Sequence, residues 1–261
     1  MLEIKNLNKI YKSGFWNNHK TEAVKDVSFE IKDGEIFGLI GGSGCGKTTI
    51  SRMIMGFLEA DSGSICYDGI ELTKLNKKEW KKMRDKIQMI FQIPQMTFNP
   101  RFTVYDCCAE PLRLFHLVQS KNEEKQMVEE MLKSIGVSAD QMNKYPHEIS
   151  GGQAQRISII RTMILNPKLL ICDEPTSMLD VSVQAQILNM ILEKQKESNF
   201  SILFISHDLD VIRAVCDRVA VMESGKIIET GTVKQIFEDP KEPFTKHLIS
   251  CSMSSKISNL A

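Results

Sequence analysis

Residues 41–48 read Gly41-Gly42-Ser43-Gly44-Cys45-Gly46-Lys47-Thr48, followed by Thr49, and fit the pattern G-x-x-x-x-G-K-[ST]. Glycines at this spacing let backbone N–H groups curl around phosphate oxygens, and a helix opening at the end of the loop adds the positive end of its dipole. Lys47 supplies a point charge for the β- and γ-phosphates of a nucleotide, and the Thr48 hydroxyl is placed to ligate Mg²⁺. The pattern acts only between a buried strand and a helix. Glu35-Ile36-Phe37-Gly38-Leu39-Ile40 reads as that strand, and Thr48 to Phe57 reads as that helix. Nucleotide binding follows.

A second element fits the same chemistry. Leu169-Leu170-Ile171-Cys172-Asp173-Glu174 is an apolar run ending in two acids. Alone, such a run is more often a strand reaching the surface. After a phosphate-binding loop, it puts the Asp173 carboxylate beside Mg²⁺ and Glu174 within reach of the attacking water as general base.

The elements that must position these residues are legible from periodicity. Leu2-Ile4 and Val24-Val27-Phe29-Ile31 alternate as strands do, and Asp33-Gly34 marks a turn. Further buried-strand runs occur at Leu169–Cys172, Ile202–Ile205 and Arg218–Met222, the last turning at Ser224-Gly225 into Lys226–Glu229. Met127, Val128, Met131, Leu132 and Ile135 share one helical face. Strands alternating with helices predict an α/β fold with a largely parallel sheet covered on both faces. From about Pro94 to Ile149 the alternation breaks into helices, with Pro100, Pro111 and Pro146 expected at element edges. Lys74 to Lys86 holds seven basic residues and two acids, and reads as a solvated basic helix with lysine stems over apolar surface. The tail from Thr232 is expected to end in ten unanchored residues.

Composition sets the outer bounds. The chain has 261 residues, 42% hydrophobic and 25% charged, with Lys+Arg 33 against Asp+Glu 33. This is a globular composition, which excludes disorder, and the zero net charge argues against a chain dominated by nucleic-acid affinity. No run reaches the ~18 apolar residues of a membrane span, and Met1–Lys5 opens no secretory leader. Seven cysteines without metal-type spacing read as reduced thiols.

The discriminating stretch is Ile149-Ser150-Gly151-Gly152-Gln153, shortly before Asp173. On its own it is a good helix N-cap. In context it resembles the LSGGQ signature of the nucleotide-binding subunits of ABC transporters. Other features fall in that family's order: Gln92 after Met89-Ile90-Phe91 matches the Q-loop, Ser177-Met178-Leu179-Asp180 the D-loop, and His207 in Ser206-His207-Asp208 the switch histidine. Tyr11 stands where the family places an aromatic against adenine, with Phe15 and Trp16 as alternatives. Phe91-Gln92-Ile93-Pro94, Phe98-Asn99-Pro100-Arg101, Leu179–Ala185 and Pro243-Phe244-Thr245-Lys246 look like the peptide and nickel uptake group. Ile93, Ile149 and Glu242 depart from that group's usual Asp, Leu and His.

The resemblance implies a P-loop, RecA-like ABC nucleotide-binding fold, with a strand-rich N-terminal part and an inserted helical subdomain. It implies one ATP-binding domain over 1–261, with a core at 1–93 and 150–231, a helical subdomain at about 94–149 and a tail at 232–261. ATP would be held by Tyr11 and residues 41–49, with Mg²⁺ on Thr48, Gln92 and Asp173. Lys47, Gln92, Glu174 and His207 would be the catalytic set. Ser150, Gly151, Gly152 and Gln153 would complete a partner subunit's site in trans. The implied partners are a second related ATPase, two transmembrane permease subunits at the cytoplasmic face of the cell membrane, and an extracytoplasmic solute-binding protein, with no nucleic acid. The chain ends fifteen residues after Lys246, and this, with the insertion from Lys12 to His19, points to nickel or a metal chelate as cargo rather than peptides. An ABC ATPase outside transport is the alternative of another class.

Overall fold

In the computed structural model, residues 1–13, 19–177 and 179–258 are described. Phe15 and Trp16, and Met178 of the D-loop stretch, lie outside them. Strand β1 (Leu2–Ser13) pairs antiparallel with β2 (His19–Ile31). Next come β3 (Ile36–Gly41), α1 (Lys47–Ile54), β4 (Ser62–Tyr67), β5 (Ile70–Glu71), α2 (Lys77–Lys81) and β6 (Ile87–Ile90). Helices α3 (Val104–Leu114), α4 (Lys121–Ser134) and α5 (Gly151–Met163) precede β7 (Leu169–Asp173), α6 (Val181–Ser198) and β8 (Ser201–Ile205). The chain continues through α7 (Leu209–Val215), β9 (Arg218–Glu223), β10 (Lys226–Thr232), α8 (Val233–Glu238) and α9 (Pro243–Ser258).

Two sheets result. One is four-stranded and antiparallel, in the order β2-β1-β4-β5; the other runs β10-β9-β3-β8-β7-β6, parallel except for β10. The apolar runs of β3, β7, β8 and β9 are explained by burial on both faces. Phe37, Leu39, Leu169, Ile171, Leu203, Ile205, Ala220 and Met222 face the first core, shared with α1 and the antiparallel sheet. Their alternating neighbours Ile36, Ile40, Leu170, Cys172, Ile202, Phe204, Val219 and Val221 face a second core with α6 and α7. The turn into β10 places Ser224 and Gly225 at positive φ (48° and 88°), as a tight hairpin requires.

A third core is helical: Val104, Cys107, Cys108 and Leu112 of α3 pack on Val128, Met131 and Leu132 of α4. It extends past Ile149, because α5 gives Ala154, Ile157 and Ile160 to this core and Ile159 and Met163 to the sheet's. One helix is therefore bedded in both.

Two local expectations are corrected. Pro111 sits inside α3 rather than at an edge; it falls in the last turn, where its ring is buried and its carbonyl still accepts from the Phe115 N–H at 3.0 Å. The basic stretch from Lys74 to Lys86 is not one helix. Only the five residues of α2 are α-helical, capped by Asn76, and Arg84 beyond them lies 4.9 Å from the Trp80 ring and 5.0 Å from that of Phe57. Crowded like charges weaken a longer helix there, and the aromatic stack rewards a turn. At the C-terminal end, α9 runs to Ser258, and residues 259–261 of the tail lie outside the described residues.

Candidate functional site

The parallel register lines up the carboxyl ends of four strands. Leu39 of β3 and Asp173 of β7 both pair with Ile205 of β8, and Cys172 pairs with Ile90 of β6. The phosphate loop follows β3, Gln92 follows β6, Glu174 follows β7 and His207 follows β8. Ligands of open α/β sheets bind at such an edge. The four segments meet around a cleft of about 590 Å³, lined by residues 43–49 with Gly41, and by Tyr11, Thr21, Ala23, Gln92, Glu174 and His207.

Loop conformation depends on glycine at two close approaches. A Cβ on Gly41 (φ 152°) would stand 2.1 Å from the Met222 carbonyl oxygen, and one on Gly46 (φ 112°) 2.2 Å from that of Ala23. The Lys47 ammonium donates to the Gly41 and Gly42 carbonyls at 2.8 and 3.0 Å, and lies 3.6 Å from the Cys45 Sγ. The loop thus presents one buried cation to whatever the cleft admits.

Asp173 ends β7 with its carboxyl buried. Thr48 Oγ1 donates to Oδ1 at 3.4 Å and Ser51 Oγ to Oδ2 at 3.2 Å. Burial pushes the Asp173 carboxyl above its ordinary range; the two hydroxyls pull it back and neighbouring Glu174 pushes it further up. Among the described residues no lysine or arginine forms an ion pair with it. A buried carboxylate faced by hydroxyl oxygens is a donor set that suits Mg²⁺, so the residues present fit that ion.

Glu174 carries the constellation's strain. Its φ of 50° is left-handed, uncommon for a side chain of this kind, and Pro175 after it further restricts its backbone. Its N–H donates to the Ile205 carbonyl at 2.9 Å. The carboxylate accepts from Gln92 Nε2 at 2.9 Å, and His207 Nδ1 lies 3.4 Å from the same oxygen. Gln92 is therefore engaged with Glu174 rather than with Asp173, which leaves its carbonyl oxygen as the atom able to ligate a metal.

Tyr11, 40% exposed, lines the cleft from β1. Ser150, Gly151, Gly152 and Gln153 do not line it. They form the first turn of α5, where Ser150 Oγ accepts from the Gln153 N–H at 3.2 Å and Gln153 Oε1 from the Ser150 N–H at 3.0 Å. Asp180 similarly caps α6, accepting from the Val183 N–H at 3.0 Å.

Sequence reasoning missed Ser51, Thr21, Ala23 and Gln155. Ser51 was recoverable, because it lies three residues after Thr48 on one helical face. Thr21 and Ala23 carry no local signal and reach the cleft only through sheet pairing.

Comparison with known proteins agrees with this geometry. Residues 24–177 match the family model for the ABC transporter. Over 240 residues the chain is 45% identical to the oligopeptide transport ATP-binding protein OppF of Escherichia coli (strain K12), covering 92% of this chain and 72% of that protein. It is 42% identical over 252 residues to the dipeptide transport ATP-binding protein DppF of Lactococcus lactis subsp. cremoris (strain MG1363), covering 96% and 80%. A solved dimeric structure of the ATP-binding cassette MJ0796, in a post-hydrolysis state bound to ADP and Pi, superposes with a TM-score of 0.80 at 28% identity, over 89% of this chain and 99% of that one. The cbiO1 structure from Clostridium perfringens gives 0.75 at 31% identity, over 91% and 90%.

The chain belongs to the ABC transporter family, as an ATP-binding subunit of the OppF and DppF type. Its fold is the RecA-like nucleotide-binding fold with a strand-rich N-terminal part and an inserted helical subdomain, and its activity class is ATP hydrolase.

Proposed function

We propose that this subunit hydrolyses ATP to drive the uptake of oligopeptides or dipeptides. The observation that carries the hydrolytic part is the Glu174 carboxylate, held by Gln92 and His207 at the mouth of the phosphate loop. The cargo rests on the relatives, which are named for peptide transport. Peptides therefore replace nickel as the proposed cargo.

In this reading the backbone amides of residues 41–49 and the Lys47 ammonium hold the β- and γ-phosphates, while Tyr11 stacks on the base. Thr48, Asp173 and the Gln92 carbonyl would hold Mg²⁺, which when bound offsets charge on the phosphate oxygens. Glu174 orients and deprotonates the attacking water, and His207 contacts the γ-phosphate. Ser150, Gly152 and the N-terminus of α5 complete the site of a second, related ATPase subunit. That arrangement explains why the signature turn stands apart from this chain's own cleft. The subunit works at the cytoplasmic face of the membrane, docked on two permease subunits supplied by a solute-binding protein. The chain is taken as one ATP-binding domain, with a core at 1–93 and 150–231, helices at about 94–149 and a tail at 232–261.

The test is uptake in cells lacking this subunit, with wild type or Lys47→Ala supplied back. Lost uptake of labelled di- and oligopeptides, restored by wild type alone, is the expected result. Intact peptide uptake with lost nickel accumulation would reinstate the metal reading.

A further inference from the structure

Gln155 is buried in α5, five residues beyond Ser150, and the motif chemistry described so far does not use it. Its side-chain amide donates to the Pro175 carbonyl at 2.6 Å, while Oε1 is buried and has no hydrogen-bond partner. The orientation is fixed by chemistry, because only the NH₂ end can donate to a carbonyl oxygen. A residue serving only to fill this space would be better as Leu or Met, which bury no unpartnered oxygen. The polar choice has to be explained by the one bond it makes.

That bond lands on the most strained turn of the site. Pro175 follows Glu174, whose left-handed backbone persists only if its surroundings over-determine it. The Glu174 N–H is tied to Ile205 on one side, and the Pro175 carbonyl is tied to Gln155 on the other. Gln155 rides on the helix whose first turn is the signature stretch and whose other residues are bedded in both the sheet core and the helical core.

We propose that Gln155 is a positioning residue for hydrolysis: it locks the Glu174–Pro175 turn to helix α5, so that the orientation of the signature helix sets the orientation of the general base. A shift at the N-terminus of α5 then reaches the chain's own Glu174 through one buried amide. The inference rests on the proposed role of Glu174.

The experiment uses the transporter captured through a tag on this chain, with ATP turnover measured against ATP concentration. Gln155→Leu keeps the volume and removes the donor. A kcat loss of about 10–100-fold is expected, as for a misplacement of the order of an ångström, with KM for ATP and the melting temperature unchanged. In a Glu174→Gln background the same substitution should cause no further loss, because both changes act through one group. Gln155→Met, which likewise fills the space without a donor, should repeat the loss if the leucine variant does not assemble. Wild-type kcat in either variant, or an equal loss in both backgrounds, overturns the proposal and leaves the base assignment standing. Full turnover in Glu174→Gln alone overturns the base assignment instead.

Discussion

Replacing Glu174 by Gln separates chemistry from binding. Gln at 174 retains an oxygen able to accept from the Gln92 Nε2, now at 2.9 Å, and leaves the backbone tie to Ile205 intact. The Lys47 contacts to Gly41 and Gly42 do not involve residue 174, so the phosphate loop is undisturbed. What is removed is the proton acceptor and its charge. General-base catalysis is worth about 10²–10⁴ in rate, or about 3–5.5 kcal/mol of barrier at 1.36 kcal/mol per tenfold. The variant complex is therefore expected to bind ATP as wild type does and to turn over at least a hundredfold more slowly, on the order of that lower bound. Binding is read by a fluorescent ATP analogue and turnover by phosphate release under saturating ATP. Turnover within about tenfold of wild type would refute the reasoning, since no general base would then be lost. Lost ATP binding would refute it differently, by placing Glu174 in the binding machinery.

Gly46→Ala drives a Cβ to within 2.2 Å of the Ala23 carbonyl oxygen at a φ of 112°, so the loop must move; loss of ATP binding together with a lowered Tm is expected, and intact nucleotide affinity counts against the loop geometry. Asp173→Asn removes a carboxylate whose ionisation burial opposes. Because the folded-state value lies above the unfolded one, ionisation above that range costs stability, so the variant should melt higher without nucleotide while losing Mg²⁺-dependent turnover. A lower Tm in calorimetry at neutral pH contradicts this. Glu124, held by the Arg113 guanidinium with help from the Tyr105 hydroxyl, has its carboxyl depressed to about 2. Its contribution is full above the ordinary 4.5 and is lost as pH falls towards 2. Allowing for the half-exposed Arg113, it amounts to about 1–2 kcal/mol. Glu124→Gln should therefore lower the Tm at pH 7 and flatten its fall below pH 4.5, and an unchanged acid profile argues against the pair.

Local sequence determined much of this site, for physical reasons. A phosphate loop is made of backbone, so its glycines and lysine must be contiguous, and they are readable at 41–48. Buried parallel strands need apolar residues on both faces, which marked β3, β7, β8 and β9. The short connections after each strand carried Gln92, Glu174 and His207, and motif order named them. Where the sequence misled, a local pattern was overridden by packing: Lys74–Lys86 looked helical but turns over the Trp80–Arg84–Phe57 stack, and Pro111 stays within α3.

Tertiary structure alone decided the rest. Strand order places β8 between β3 and β7, and that order, which no periodicity encodes, brings Gln92 and His207 to one oxygen of Glu174. Thr21 and Ala23 reach the cleft from the other sheet, and Ser51 reaches Asp173 across 122 residues of chain. Gln155 gave no signal beyond an ordinary helical position. Its meaning lies in a bond to a turn twenty residues away, since a buried donor acquires a role only from the acceptor that folding sets before it.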